Sequence, residues 1–171
     1  MTARELNRAL ATAAHAAKAA GELMRKHRLR SKKVNDSSPH DIKLELDVRC
    51  QRLITKILAR AFPGIPVLGE EGEDDKVKTA PARWVVDPID GTVNFAHRIP
   101  HAAVSIALQL RETPESAGYP DGFASVVGVV FDPFVDELWT AIRGKAARLN
   151  GRIISVSRRT LDQAIVSIGF S

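Results

Sequence analysis

The chain has 171 residues, 44% of them hydrophobic, with one cysteine and a formal net charge of +5. That is enough apolar material for one sizeable core, whereas a single cysteine excludes a disulfide framework and no apolar run reaches membrane-spanning length. The Ala-rich N-terminus is interrupted by His15, Lys18 and Glu22, against the pattern of a secretory signal, and the cytoplasm is the expected compartment.

In chain order, Leu6, Leu10, Ala13, Ala17, Ala20 and Met24 recur at steps of three and four and predict an amphipathic helix over residues 3–28. Arg25, Lys26, Arg28, Arg30, Lys32 and Lys33 crowd its end, where cations complement the helix dipole. No stacking aromatics interleave them, so the cluster reads as a solvated helix end and nucleic acid is not an expected partner. An alternating stretch (Ile42, Leu44 and Leu46 against Asp41, Lys43 and Glu45) leads to Asp47, whose simplest role is a helix N-cap. A second helix over 47–61 would bury Cys50, Leu53, Ile54, Ile57 and Leu58 and stop at Pro63-Gly64. Strands are expected near 66–69, 83–87, 102–110, 124–131, 137–142 and 163–169, with Asp132-Pro133-Phe134 as a hairpin signal. Glu112–Gly122, rich in Pro, Gly and Ser, reads as a variable loop. Without repeats or an internal boundary, residues 1–171 form one expected domain.

The chemistry concentrates in Asp87-Pro88-Ile89-Asp90-Gly91-Thr92. The apolar run Trp84-Val85-Val86 delivers two carboxylates onto a turn, where Gly91 lets a phosphate approach the backbone. Carboxylate oxygens are hard ligands suited to Mg²⁺. A plain surface turn is the bland alternative. A calcium loop fails on register, because counting Asp87 as its first position puts Thr92 at the glycine and Arg98 at the bidentate acid. Val67-Leu68-Gly69-Glu70-Glu71 is a second apolar run ending on carboxylates. Were the two strands neighbours, Glu70 and Asp87 could share a cation. His97 and His101 are four apart, but Pro100 between them argues against a zinc-binding helix, so they read as structural or supporting groups.

GEEG at 69–72, WVVDPIDGTVNF at 84–95 and RIPHAAVSIAL at 98–108 resemble the inositol monophosphatase family, within the Mg²⁺-dependent, Li⁺-sensitive sugar-phosphatase superfamily. The similarity extends through AAGELM at 19–24, SSPHDIKLELD at 37–47 and GVVFDPFVDELWTAIRGKAARLNGRIISVS at 128–157. It implies an α+β fold, a layered α/β sandwich with two long N-terminal helices packed on a mostly antiparallel sheet. It implies hydrolysis of a small phosphomonoester by a metal-activated water, with inositol monophosphate as first substrate and histidinol phosphate or other sugar or nucleotide phosphates as alternatives. Glu70, Asp87, Asp90 and the Ile89 carbonyl resemble the Mg²⁺ ligands, and Glu71 a group that orders metal-bound water. Thr92 and Asp47 resemble the pair that orients and deprotonates the attacking water, while the Gly91 and Thr92 amides, beside Asp90, would hold the substrate. A homodimer is also implied, and no membrane partner.

Two departures stand out. Relatives have a Trp-Asp-x-Ala-Ala-Gly-like segment whose Asp completes the second metal site, and nothing like it occurs here. The sequence stops within the apolar run Val166–Ser171, so the C-terminal half of the sandwich is expected to be absent, and a catalytically incomplete metal-binding or interaction fragment is the non-enzyme alternative. Leu44 also stands where relatives have a Thr three residues before the Asp.

Overall fold

A computed structural model describes residues 1–27, 34–38, 41–69, 75–112 and 121–165, with backbone alone for 34–38, 41–44, 75 and 76. Helix α1, Ala3–His27, opens on a capping box: the Glu5 amide donates to Thr2 Oγ1 (3.2 Å) while Glu5 Oε2 accepts from the Thr2 amide (2.7 Å). Its buried stripe is Ala9, Ala13, Ala16, Ala17, Ala20, Gly21 and Met24. Leu6 and Leu10, expected on that stripe, are only partly buried at its border. Small residues bring the helix axis close to the sheet. A Cβ on Gly21 would lie 2.5 Å from a Phe131 ring carbon and 3.0 Å from Pro133 Cβ.

A two-stranded antiparallel hairpin, β1 (Val34–Ser38) and β2 (Asp41–Leu44), runs directly into α2, Glu45–Ala61. Because the helix begins at Glu45, Asp47 sits inside its first turn rather than capping it, a correction to the N-cap expectation. There its negative charge still complements the helix N-terminus. Leu46, Cys50, Ile54 and Leu58 are buried, and Leu53 and Ile57 are intermediate. Burial pushes the Cys50 thiol up to about 12, and its Sγ lies 3.8 Å from the Ala20 carbonyl oxygen. The expected core thiol is what the structure contains.

The remaining elements are β3 (Val67–Leu68), α3 (Asp75–Thr79), β4 (Ala82–Asp90), α4 (Thr92–Ala96), β5 (Ala103–Arg111), β6 (Phe123–Asp132), β7 (Glu137–Ile142), β8 (Arg148–Leu149) and β9 (Arg152–Ile153). Strands β3 to β9 form one sheet in sequence order; β3 is parallel to β4 and every other pair is antiparallel. Helices α1 and α2 pack on one face, where Trp84, Val86, Val104, Ile106, Leu108, Val127, Val129 and Phe131 are buried. The architecture is the expected α+β layering. The expected strand at 163–169 is not formed as far as Ile165, since Leu161–Gln163 is a single 3-10 turn; residues 166–171 lie outside the described set. The 113–120 part of the expected loop also lies outside it.

Candidate active site

Strands β3 and β4 run side by side in the same direction, with Val67 opposite Trp84 and Leu68 opposite Val85. Their carboxyl ends therefore open on the same edge, the usual location of ligand sites beside parallel strands. Asp87 stands at that end of β4. Glu70 and Glu71 follow β3 by two and three residues and lie outside the described set.

In a regular strand, residues three apart point to opposite faces. Asp87 and Asp90 would then be separated by the sheet itself. The pairing with β5 shows why they are not. Asp87 lies opposite Ser105 and Asp90 opposite Ala103, so Pro88 and Ile89 together face the single residue Val104. This β-bulge adds one residue and restores parity, and both carboxylate residues share the face that carries Ser105 and Ala103. Asp87 is partly buried and Asp90 is exposed.

The turn after the bulge is held from within. The Ile89 amide donates to Asp87 Oδ1 at 3.2 Å, and Thr92 Oγ1 donates to the Ile89 carbonyl at 2.8 Å. Gly91 is left-handed, with φ 87°, and a Cβ there would lie 2.8 Å from the His101 carbonyl oxygen. Glycine is required at this position both for conformation and for space. Thr92 then begins α4, which packs against β2. Asp47, 9% exposed, lies three residues beyond β2 in the first turn of α2. The elements carrying Asp47 and Thr92 therefore both touch β2.

Two cavities flank the bulge. One of about 340 Å³ is bordered by Asp90, Gly91, Asn94, His101, Asp132 and Trp139. The other, about 310 Å³, is bordered by Leu68, Gly69, Asp87 and Ser105. Among the described residues no cluster of three or more His, Cys, Asp or Glu is gathered to hold a metal ion. The donor types present (Asp87, Asp90 and the Ile89 carbonyl) are all hard oxygens, which fit Mg²⁺ and not a soft metal.

His97 caps the C-terminus of α4 and is exposed, whereas His101 lies beyond the helix on the cavity wall. No helix spans the two, as Pro100 predicted. Asn94, Ser105, Asp132 and Trp139 were not singled out as site residues by sequence motif. Only strand register brings Asp132 and Trp139 to Asp90 from some forty residues away, and no local signal announces it.

A model of the inositol monophosphatase family matches residues 5–171. Inositol monophosphatase 1 of Solanum lycopersicum is 40% identical over 154 residues, covering 88% of this chain and 52% of the relative. Nus factor SuhB of Pseudomonas aeruginosa is 39% identical over 163 residues, covering 92% and 56%. Among solved structures, the extragenic suppressor protein suhB of Bartonella henselae superposes with a TM-score of 0.77 at 34% identity, covering 89% of this chain and 55% of that one. The chain spans about half the length of the relatives it matches.

Proposed function

This chain belongs to the inositol monophosphatase family, and from that premise we propose that it carries the nucleophile-activating side of a Mg²⁺-dependent phosphomonoesterase acting on a small phosphorylated polyol, inositol monophosphate first. The observation that carries this reading is the bulge in β4, which turns Asp87 and Asp90 onto one face beside the end of β3.

Asp87, Asp90 and the Ile89 carbonyl would hold the cation, joined by Glu70 from the sequence motif. When bound, a divalent cation neutralises phosphate charge and acidifies water. The chain's own groups do the rest. Thr92 Oγ1 gives its only proton to the Ile89 carbonyl, so toward a water it can act only as acceptor. A water donating to Thr92 has its lone pair turned away from that hydroxyl, toward the substrate phosphorus. Asp47, the partner of Thr92, is the group assigned to take the second proton, and Glu71 of the motif would order metal-bound water. The Gly91 and Thr92 amides of the turn would receive a phosphate oxygen.

Hydrolysis of phosphate monoesters is among the slowest uncatalysed reactions, so every charge in the site must be placed before the substrate arrives. The test is phosphate release from inositol 1-phosphate and histidinol phosphate with and without Mg²⁺, alongside Asp90→Asn. Mg²⁺-dependent turnover that falls at least about 100-fold in the variant is expected. Undiminished turnover by Asp90→Asn would sink the ligand assignment.

A further inference from the structure

A glycine serves a fold through conformation, through room, or through both. Gly91 supplies both, but Gly69 is not left-handed, so its backbone is open to any residue. Room is what it provides. A Cβ on Gly69 would lie 2.3 Å from Gln51 Nε2, 2.6 Å from Cδ and 2.9 Å from Oε1, so the face of the Gln51 amide rests on the glycine. A Cβ at Gly64 or Gly128 would meet nothing within 4 Å.

Both partners stand at positions that matter to the site. Gly69 separates Leu68, the last residue of β3, from Glu70, and it borders the cavity that Asp87 also borders. Gln51 is one helical turn beyond Asp47 on α2. It is partly buried, at the edge of the stripe in which Asp47, Cys50, Ile54 and Leu58 are buried. That stripe fixes α2 against β4, so the amide is carried on a firm support. The far end of the connection from β3 to β4 is tied separately. Arg111 Nε donates to the Ala80 carbonyl at 3.3 Å, and its Nη2 donates to the Lys78 carbonyl, just ahead of β4.

We infer that Gln51 is a positioning residue: its amide, packed on Gly69, sets the direction in which the chain leaves β3 and so places Glu70 to share a cation with Asp87. Helix α2 then serves the site twice, through Asp47 and, one turn on, through Gln51. The inference rests on the cation reading of Glu70 and Asp87 given above, so its test includes a measurement made without metal.

The test compares Mg²⁺ binding by calorimetry with the melting temperature and the Glu-C digestion of the metal-free chain. Gln51→Ala should weaken Mg²⁺ binding about tenfold, as loss of a group that orients a ligand does. Its metal-free melting temperature should be unchanged, while cleavage after Glu70, Glu71 and Glu73 should be several-fold faster. Gln51→Met, uncharged and of similar length, should restore both affinity and resistance to cleavage. Gly69→Ala should act in the same direction by displacing the amide. Combined with Gln51→Ala, it should cost less than the two single losses together. Wild-type affinity in Gln51→Ala overturns the inference, as does an additive pair or an affinity loss matched by a fall in metal-free melting temperature. A wild-type chain that takes up no Mg²⁺ overturns the cation reading instead, and cleavage then decides the positioning by itself. Faster cleavage in Gln51→Ala, reversed in Gln51→Met, upholds it; an unchanged rate overturns it.

Discussion

The two faces of the sheet use the same strands for opposite ends. Toward α1 and α2, alternate residues of β4 to β6 close into a core of Trp84, Ile106, Leu108, Val127, Val129 and Phe131, none more than 1% exposed. On the other side, apart from the buried Arg83, the intervening residues of β4 and β5 are small or half-exposed and lead to Asp87 and Asp90. Stability is concentrated on one side and chemistry on the other. The backbone ladder holds the reactive side in place with little help from packing above it.

Substitutions that treat the faces alike should therefore give unlike results. Phe131→Ala empties a fully buried site between α1 and the sheet, and urea unfolding should show a loss of about 3–5 kcal/mol. A loss under 1 kcal/mol would mean that the covered face is not the principal core. Gly21→Ala drives a methyl group against the Phe131 ring and Pro133, neither of which has room to yield, and should cost about 1–3 kcal/mol despite the better helix propensity of alanine. Gly128→Ala, the same change on the open face, meets nothing and should stabilise by about 0.5–1 kcal/mol through the unfolded chain's lost freedom. Equal signs for the two glycines would erase the distinction between the faces.

The smallest expected effect is that of pH on the covered side. The folded Cys50 thiol is raised above its unfolded value, so the neutral form's contribution is complete below the unfolded thiol pKa and lost as pH climbs toward about 12. Melting temperature should show no Cys50-dependent change from pH 6 to 8, judged against Cys50→Ala, and a difference should open only above pH 9. A Cys50-dependent slope already present at pH 7 would contradict the burial. A distinct case occurs at the sheet's polar end. There burial works against Asp121 ionisation, but hydrogen bonds from Arg83 and the Phe123 amide and the Arg83 charge prevail and hold its carboxyl below the usual range.

Much of this layout was legible beforehand. Both long helices end within two residues of expectation, because Ala13, Ala17, Ala20 and Met24, or Cys50, Ile54 and Leu58, repeat at the helical period over many turns. Five strands were placed by their apolar runs. The five-residue helices α3 and α4, the β1–β2 hairpin and the β8–β9 pair were not, since so few residues carry no periodicity and are fixed by what they pack against. The strand expected at 163–169 rested on hydrophobicity; its first residues, 163–165, are not in a strand, and Leu161 and Ile165 are almost fully exposed. At the site, the residue types of the DPIDGT segment were readable, yet their common orientation was not. It depends on two residues of β4 facing one of β5, a fact that exists only once the strands pair.

That extra residue has a genetic consequence. Side-chain direction along β4 is a matter of odd and even, and the segment 88–89 sets the count for Asp90 and the turn that follows. Losing a single codon there would remove the bulge: Asp87 and Asp90 would stay on one face of a now regular strand, but the Ile89 amide and carbonyl that tie Asp87 to Thr92 would lose their place. Substitutions at 88 and 89 should accordingly be tolerated far more readily than any one-residue insertion or deletion between them.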